Sequence, residues 1–297
     1  MSSGRLLFIT GPTASGKTGL ALREAERRGA VILSCDSLCV YRGMDIGTAK
    51  PTREERERVP HYGLDLADPG EPYSVARYIE HRDGVLARCR DAGLPVVVAG
   101  GSGFYLKSFF AQVTDAVRVP DALAREVAAL RATEGLPGLV RALRACHGPD
   151  ETFAGLDLAN PRRVEKALLR CRASGRSHSE LLRAFKALPP PLPDWDKEVW
   201  LVSRPPGELE ERIRARVDRM LEDGLVDEAR ALRARGFERN PSAAGAIGYR
   251  EVRAFLDGRL PAGELAGAIA THTRQLAHKQ RTWFRHQIPV DRQVAGD

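Results

Sequence analysis

The chain has 297 residues and a formal net charge of +7, with 46 basic residues against 39 acidic ones. This length fits one large domain or two smaller ones. No apolar run approaches the roughly 20 residues of a membrane span. The first residues lead directly into an apolar segment, so we expect no signal peptide. The five cysteines have neither zinc-ligand nor C-x-x-C spacing, so we expect reduced thiols in a cytoplasmic protein.

The basic residues are mostly arginine. A GC-rich genome produces such a bias without any functional cause. A basic surplus nonetheless favours a polyanionic partner, of which nucleic acid is the commonest. Composition therefore indicates an RNA or DNA partner without identifying it.

The first predicted elements enclose a phosphate-binding motif. Residues 11–18 read Gly-Pro-Thr-Ala-Ser-Gly-Lys-Thr and match G-x-x-x-x-G-K-[ST] at every fixed position. A strand predicted over residues 5–10 precedes the motif and a helix over 17–28 follows it, which is the context the motif requires. Backbone N–H groups and the helix dipole then face an anion. We expect Gly11, Pro12, Thr13, Ala14, Ser15, Gly16, Lys17 and Thr18 to bind a polyphosphate, with the Thr18 hydroxyl on Mg²⁺.

The next elements continue a strand–helix alternation. Residues 30–34 and 94–99 are predicted as buried parallel strands, with a helix over 74–92 between them. This alternation predicts an α/β fold whose P-loop core is a doubly wound parallel sheet. No carboxylate follows the third predicted strand, where a hydrolytic motor would carry one to hold magnesium. This argues against an ATPase but still permits a small-molecule kinase.

Two polar residues follow the predicted strands at the edge where ligands bind. Asp36 follows the second strand and is a candidate general base, or alternatively a turn or helix-capping aspartate. Ser102 follows Gly100 and Gly101 after the third strand and is expected to face the same crevice. The glycine pair alone is equally typical of a plain strand-to-helix turn.

The pattern changes after residue 117. No convincing strand occurs between residues 119 and 188, where helices are predicted over 121–132 and 161–174, before a proline-rich linker at 188–193. A strand is predicted again over 198–203. We therefore expect an all-helical insertion domain at 118–193 between two parts of one core, 1–117 and 194–297. A separate C-terminal helical domain is the alternative.

The last hundred residues are predicted to be mostly helical. Leu209, Ile213, Val217 and Met220 form an apolar stripe, while Arg212, Arg216 and Arg219 lie on a different face. Arg274, His278, Arg281 and Arg285 recur at helical spacing beside Trp283 and Phe284. The second set predicts a basic helix near the C-terminus.

Residues 36–51, Asp-Ser-Leu-Cys-Val-Tyr-Arg-Gly-Met-Asp-Ile-Gly-Thr-Ala-Lys-Pro, closely resemble a stretch of the tRNA dimethylallyltransferases. The resemblance covers nearly the whole chain, with further matches at 11–18, 100–105, 160–164, 248–251 and 273–285. Cys39 stands where many members carry Gln, Ser102 where Thr is usual, and His278 where a basic residue is commoner. Ser102 keeps the hydroxyl, whereas Cys39 changes one expected contact with tRNA.

The resemblance implies transfer of a dimethylallyl group from dimethylallyl diphosphate to N6 of the adenosine immediately 3′ of the anticodon in tRNA. It implies that the phosphate loop and Mg²⁺ hold the diphosphate leaving group. Asp36 would accept the proton of the adenine amine, and Ser102 and Arg216 would hold the diphosphate. On spacing alone, a structural salt bridge is an equal alternative for Arg216.

The resemblance also implies that the target adenine is flipped out of the anticodon loop. Its implied RNA contacts are Asp36, Ser37, Leu38, Cys39, Ser102, Arg125, Arg162, Arg163, Gly248, Tyr249, Arg250, Arg281 and Arg285. For any single arginine, a solvated helix face is the alternative explanation.

Three other functions remain open at the level of sequence. An isopentenyltransferase acting on free AMP or ADP would not need the insertion or the basic helix. A P-loop small-molecule kinase would consume ATP. A nucleic-acid-binding module that merely uses nucleotide would bind without turnover. We expect a monomer, with no membrane and no protein partner implied.

Overall fold

The computed structural model describes residues 4–147 and 153–296. They belong to two compact units, one formed by Met1–Val113 with Pro191–Asp297 and the other by Thr114–Pro190. The sequence places the corresponding boundaries at 118 and 193. No helix in the described residues is long and apolar enough to cross a membrane.

The first unit contains a parallel sheet, which confirms the predicted α/β class. Its described strands are β1 (Gly4–Thr10), β2 (Val31–Ser34), β3 (His61–Tyr62), β4 (Val96–Gly100), β5 (Trp195–Ser203) and β6 (Arg292–Ala295). Their order is β3-β2-β4-β1-β5-β6, and every neighbouring pair is parallel. The strand that leads into the phosphate loop therefore lies between β4 and β5. The edge strands β3 and β6 were not predicted, because they are too short or too polar to show a strand pattern.

Helices connect and cover these strands. They are α1 (Lys17–Arg28), α2 (Arg53–Arg58), α3 (Val75–Asp91), α4 (Gly103–Lys107), α5 (Asp121–Ala145), α6 (Pro161–Ser174), α7 (His178–Lys186), α8 (Pro206–Glu222), α9 (Leu225–Ala234), α10 (Pro241–Ala244), α11 (Tyr249–Leu256) and α12 (Ala262–Gln287). A 3₁₀ turn spans Phe237–Arg239.

Helices cover both faces of the sheet, because the central strand β1 carries apolar side chains on both faces. Side chains alternate across a strand, so Leu7 and Ile9 pack with α1 residues in one core cluster. Leu6 and Phe8 point the other way and belong to a second, larger cluster that includes residues of α3 and α4. This arrangement is the doubly wound one.

The unit Thr114–Pro190 has its own apolar core. Val127 on α5, Val164 and Leu168 on α6 and Leu181 on α7 are buried together. Its regular elements within the described residues are α5, α6 and α7. Helix α5 extends well past the predicted end at residue 132, with a break at Gly135, where φ is +61°.

Candidate active site

The carboxyl ends of three adjacent strands bring the predicted site loops together. Thr10 of β1 is in register with Gly100 of β4, and Ser34 of β2 with Ala99. A Cβ atom on Gly100 would lie 2.2 Å from the carbonyl oxygen of Cys35. This close approach explains why glycine ends β4, and it places the loops after β1, β2 and β4 side by side.

The phosphate loop has the backbone that its sequence predicts. Gly11 has φ of +150° and Gly16 has φ of +96°, in the region that favours glycine. Helix α1 then begins at Lys17 without a side-chain cap. The Ser15 hydroxyl is buried and has no hydrogen-bond partner among the described residues. An uncapped helix start and an orphaned hydroxyl are features of a site that an anion completes.

Side chains distant in sequence hold the outside of this loop. Gln280 on α12 accepts a hydrogen bond from the Thr13 N–H at 2.8 Å and donates one to the Gly101 carbonyl at 3.1 Å. Arg212 on α8 donates to the Ala14 carbonyl at 3.0 Å. No sequence pattern singles out Gln280, although it lies inside the stretch 273–285 that resembles the family. Among the arginines of α8, the resemblance assigns a diphosphate contact to Arg216 alone.

Two cavities open at this edge of the sheet. The larger, of about 930 Å³, is lined by the phosphate loop and by basic side chains that include Arg53, Arg212 and Arg219. The smaller, of about 210 Å³, is lined by Asp36 together with apolar residues. Both cavities share Lys17, Thr18, Ala49, Pro51, Arg216 and Met220 as lining residues. A polyanion site and a carboxylate site therefore meet at Lys17 and Arg216.

The two shared cations are poorly solvated. Burial and, to a smaller extent, the nearby Arg216 lower the pKa of Lys17 to about 7, while Asp36 opposes the shift. Burial also lowers the pKa of Arg216, against the effect of Asp36 and Cys39. Neither cation forms an ion pair with any residue in 4–147 or 153–296. Lys17 donates instead to the Pro12 carbonyl at 2.6 Å. Partly buried cations of this kind favour a bound anion.

Asp36 projects from a turn that the neighbouring loop stabilises. One carboxylate oxygen accepts the N–H of Leu38 at 2.9 Å, which makes an Asx turn. The Ser102 hydroxyl accepts the N–H of Ser37 at 2.9 Å and lies 3.2 Å from the Ser37 hydroxyl. Ser102 itself lines neither cavity, so in this structure it contacts the turn that carries Asp36. Leu38 and Cys39 line the smaller cavity, and burial raises the pKa of the Cys39 thiol.

Residues 248–251 lie inside the fold rather than at either cavity. Tyr249 is fully buried, and its hydroxyl donates to Glu228 at 2.6 Å. The Gly248 N–H donates to Glu251 at 2.7 Å. Arg250 forms an ion pair with the same Glu251 carboxylate and is partly exposed. The contacts with RNA expected of Gly248 and Tyr249 would require a surface that these residues do not present in this structure.

The remaining predicted RNA contacts lie in two places. Arg281 on α12 is half-buried and Arg285 is exposed. Arg125 on α5 and the pair Arg162 and Arg163 on α6 are exposed in the unit Thr114–Pro190. The Asn160 side chain caps α6 by accepting the backbone N–H groups of the arginine pair, which leaves their guanidinium groups available.

The phosphate loop fits a divalent cation that binds mainly through its substrate. Thr18 is exposed and lines both cavities, and the Ser15 hydroxyl nearby lacks a partner among the described residues. No group of three His, Cys, Asp or Glu side chains able to hold a metal occurs in the part of the chain that is described. Mg²⁺ commonly keeps several waters and takes few protein ligands beside substrate phosphates.

A sequence model of a family described as IPP transferase matches residues 39–287. The chain belongs to this family. It is 51% identical over 290 residues to a tRNA dimethylallyltransferase of Opitutus terrae, covering 98% of this chain and 92% of the relative. A tRNA dimethylallyltransferase of Geobacter metallireducens is 38% identical over 286 residues, covering 96% and 91%.

Solved structures place the fold of this IPP transferase family member with the same group. A tRNA isopentenylpyrophosphate transferase from Bacillus halodurans superposes with a TM-score of 0.68 at 31% identity, covering 98% of this chain and 89% of that one. A eukaryotic dimethylallyltransferase acting on tRNA superposes with a TM-score of 0.81 at 24% identity, covering 99% and 75%. The second likeness concerns the fold alone.

Proposed function

We propose that this chain transfers a dimethylallyl group from dimethylallyl diphosphate to N6 of the adenosine immediately 3′ of the anticodon in tRNA, releasing diphosphate. The observation that carries the proposal is that the cations Lys17 and Arg216 meet the Asp36 carboxylate where the two cavities join. The names of the relatives in the IPP transferase family support the same reaction.

The basic cavity binds the diphosphate of the donor. As the bond between the allylic carbon and oxygen breaks, negative charge grows on the diphosphate, and cations held in place beforehand stabilise it. Lys17, Arg216 and the N–H groups at the start of α1 supply this stabilisation. The Thr18 hydroxyl would hold Mg²⁺, which when bound neutralises part of the same charge.

The smaller cavity receives the adenine. N6 attacks the allylic carbon and gives up a proton, which the Asp36 carboxylate accepts. The Ser102 hydroxyl holds the turn that carries Asp36 through Ser37, so it contributes by positioning. Leu38 and Cys39 line the cavity that surrounds the base. An adenine stacked in an anticodon loop must be flipped out to reach this depth.

The arginines outside the cavities bind the phosphates of the anticodon stem-loop. RNA loops are commonly held in this way while their bases are read elsewhere. Arg281 and Arg285 on α12, and Arg125, Arg162 and Arg163 in the unit Thr114–Pro190, are the exposed or half-exposed candidates.

The structure favours prenyl transfer over phosphoryl transfer. Strand β4 ends in Gly100 with Gly101 and Ser102 after it, where a motor ATPase would carry a metal-binding carboxylate. A leaving diphosphate needs no such residue, since its charge is met by the phosphate loop and the metal.

The proposal is tested by incubating the protein with Mg²⁺, radiolabelled dimethylallyl diphosphate and either unmodified tRNA or AMP, without ATP. Label in tRNA is the expected result, and chelation of Mg²⁺ with EDTA should abolish it. Label in AMP alone would assign the chain to transfer onto free nucleotides. Label in neither acceptor would overturn prenyl transfer and make ATP turnover the next measurement.

A further inference from the structure

We infer that Glu228 is a positioning residue for the donor diphosphate. Its carboxylate binds the segment Asp45–Ala49, which we call the cavity wall because it lines both cavities. Asp45, Ile46 and Ala49 line the larger cavity, and Gly47, Thr48 and Ala49 line the smaller one. The inference rests on the proposed use of the larger cavity for diphosphate. Glu228 lines neither cavity, so its effect is transmitted through the backbone of the wall.

Each of the two carboxylate oxygens of Glu228 accepts two hydrogen bonds. Oε2 accepts the N–H of Asp45 at 3.0 Å and that of Ile46 at 2.8 Å. Oε1 accepts the N–H of Gly47 at 3.1 Å and the hydroxyl of Tyr249 at 2.6 Å. Three successive backbone N–H groups that converge on one anion form a nest. Hydrogen bonds to an ionised group are about twice as strong as neutral ones.

The partners of Glu228 are backbone N–H groups and one hydroxyl. Its neighbour on α9, Asp227, forms an exposed ion pair with Arg230, whereas Glu228 forms none with a described residue. A carboxylate bound by backbone N–H groups and one hydroxyl, rather than by a cation, is suited to fixing a loop conformation. Sequence patterns do not reveal this, because an acidic residue in the first turn of a helix is expected in any case for its dipole.

The cavity wall is also held by contacts with residues other than Glu228. A Cβ atom on Gly47 would lie 2.5 Å from ring carbons of Tyr249, so the wall packs directly on that buried ring. The buried Lys50 ammonium donates to the Tyr41 carbonyl and to Asp65, both at 2.8 Å. Glu228 and Lys50 therefore fix the two ends of the wall to the core.

The wall in turn contacts the proposed diphosphate cation. The Arg216 guanidinium donates to the Thr48 carbonyl at 3.4 Å, and the Thr48 hydroxyl donates to Met44 within the same turn at 2.6 Å. Loss of the Glu228 bonds would free the N–H groups of Asp45, Ile46 and Gly47 and leave Asp45 held by its ion pair with Lys50. The Thr48 carbonyl that meets Arg216 directly follows this loosened stretch. Stabilising the charge of the leaving diphosphate without reorganisation requires that Arg216 and its backbone partner are already fixed in place. The hydrogen bonds of the cavity wall provide this.

The test compares Glu228→Gln with Asp227→Asn, a matched change one residue earlier on the same helix. The glutamine amide puts an N–H₂ group against backbone donors. We expect the KM for dimethylallyl diphosphate and the Kd for inorganic diphosphate with Mg²⁺ to rise about tenfold or more. We expect kcat at saturating donor and the Kd for tRNA alone to change little. Asp227→Asn should leave all four values unchanged.

Tyr249→Phe provides a milder second variant, since it removes one of the four hydrogen bonds and keeps the ring against Gly47. It should raise the donor KM by a few fold. A merely structural role would lower the melting temperature and the fraction of active enzyme while leaving KM unchanged, and that result would overturn the inference.

Arg216→Lys separates this inference from the proposed function. If Arg216→Lys raises the donor KM and Glu228→Gln does not, the site is retained and the role of Glu228 is overturned. If neither variant changes diphosphate binding, the assignment of the cavity itself fails. If both variants weaken diphosphate binding, the double variant should weaken it by less than the sum of the two free-energy changes. The reason is that both residues act through the same cavity wall.

Discussion

Lys17 and Asp36 supply charges of opposite sign at the junction of the two cavities. Lys17 is desolvated and lies near a second cation, Arg216, which together hold its pKa near 7. Asp36 keeps one oxygen on the Leu38 N–H, and its other oxygen has no partner among the described residues. The first residue is thus suited to bind an anion and the second to accept a proton.

Asp36→Asn should slow the chemical step without disturbing the folded structure. Asparagine keeps an oxygen for the Leu38 N–H but cannot accept the proton of N6. We expect turnover to fall by about 10²–10⁴-fold, the loss typical of a general base, while the melting temperature and the tRNA Kd stay near those of the unmodified chain. Single-turnover kinetics and filter binding measure these quantities. A near-normal rate would remove the assigned role.

Donor affinity should depend on pH through Lys17. Bound diphosphate raises the pKa of Lys17, so the ammonium form binds and the neutral form must first take up a proton. Below pH 7 the free protein already carries this proton, and affinity should be full. Above pH 7 affinity should weaken, with proton uptake visible by calorimetry in buffers of different ionisation enthalpy.

Lys17→Arg is the control for this pH dependence, because arginine remains charged across the range. The pH profile of donor affinity in Lys17→Arg therefore reports the ionisation of the donor diphosphate alone. Equal profiles for the two proteins between pH 6 and 9 would contradict a functional titration of Lys17.

At the scale of single elements, α12 serves both the site and a charged surface. Gln280 joins the phosphate loop to Gly101, and the Trp283 ring packs so close to Gly103 that a Cβ there would lie 2.8 Å from it. The helix also carries Arg281 and Arg285. One helix therefore links diphosphate binding to a candidate RNA surface.

Changing Arg281 and Arg285 together to glutamine should reduce the salt dependence of tRNA binding. Each lost phosphate contact lowers the slope of log K against log salt by about 0.7 to 0.9. Donor binding should not change. Arg27→Gln is the control, because that exposed arginine is already paired with Glu24. An unchanged slope would mean that this part of α12 is only solvated.

At the scale of the whole molecule, the chain consists of a sheet-containing unit and the unit Thr114–Pro190. The phosphate loop, Asp36, Arg216 and Glu228 all belong to the first unit. The second has its own apolar core and exposed arginines on α5 and α6. Chemistry and one part of the proposed RNA binding are thereby assigned to different units.

Arg162 and Arg163, changed together to glutamine, should raise the KM for tRNA without affecting the Kd for diphosphate. Asn160 still caps α6 in this variant, since it binds backbone N–H groups, so the helix should persist. Arg131→Gln is the control within the same unit, because Arg131 is paired with Glu165. An unaltered KM for tRNA would place the RNA contacts elsewhere.

The sequence by itself determined the features that depend on neighbours along the chain. The phosphate loop, the buried strands β1, β2 and β4, and helix α6 each follow from patterns of fewer than about 20 residues, because strand burial, turns and helix starts are local properties. The short edge strands β3 and β6 escaped prediction, since pairing with a neighbour defines them more than their composition does.

Tertiary structure alone decided those contacts that no sequence pattern indicates. Gln280 reaches Thr13 across 267 positions, and Glu228 reaches Gly47 across 181. Among the arginines of α8, the fold places Arg216 beside Lys17 and Asp36 and directs Arg212 to the loop backbone. It also buries Tyr249, which the matched motif had suggested for RNA. Such contacts depend on how helices pack over the sheet, and no local pattern specifies that packing.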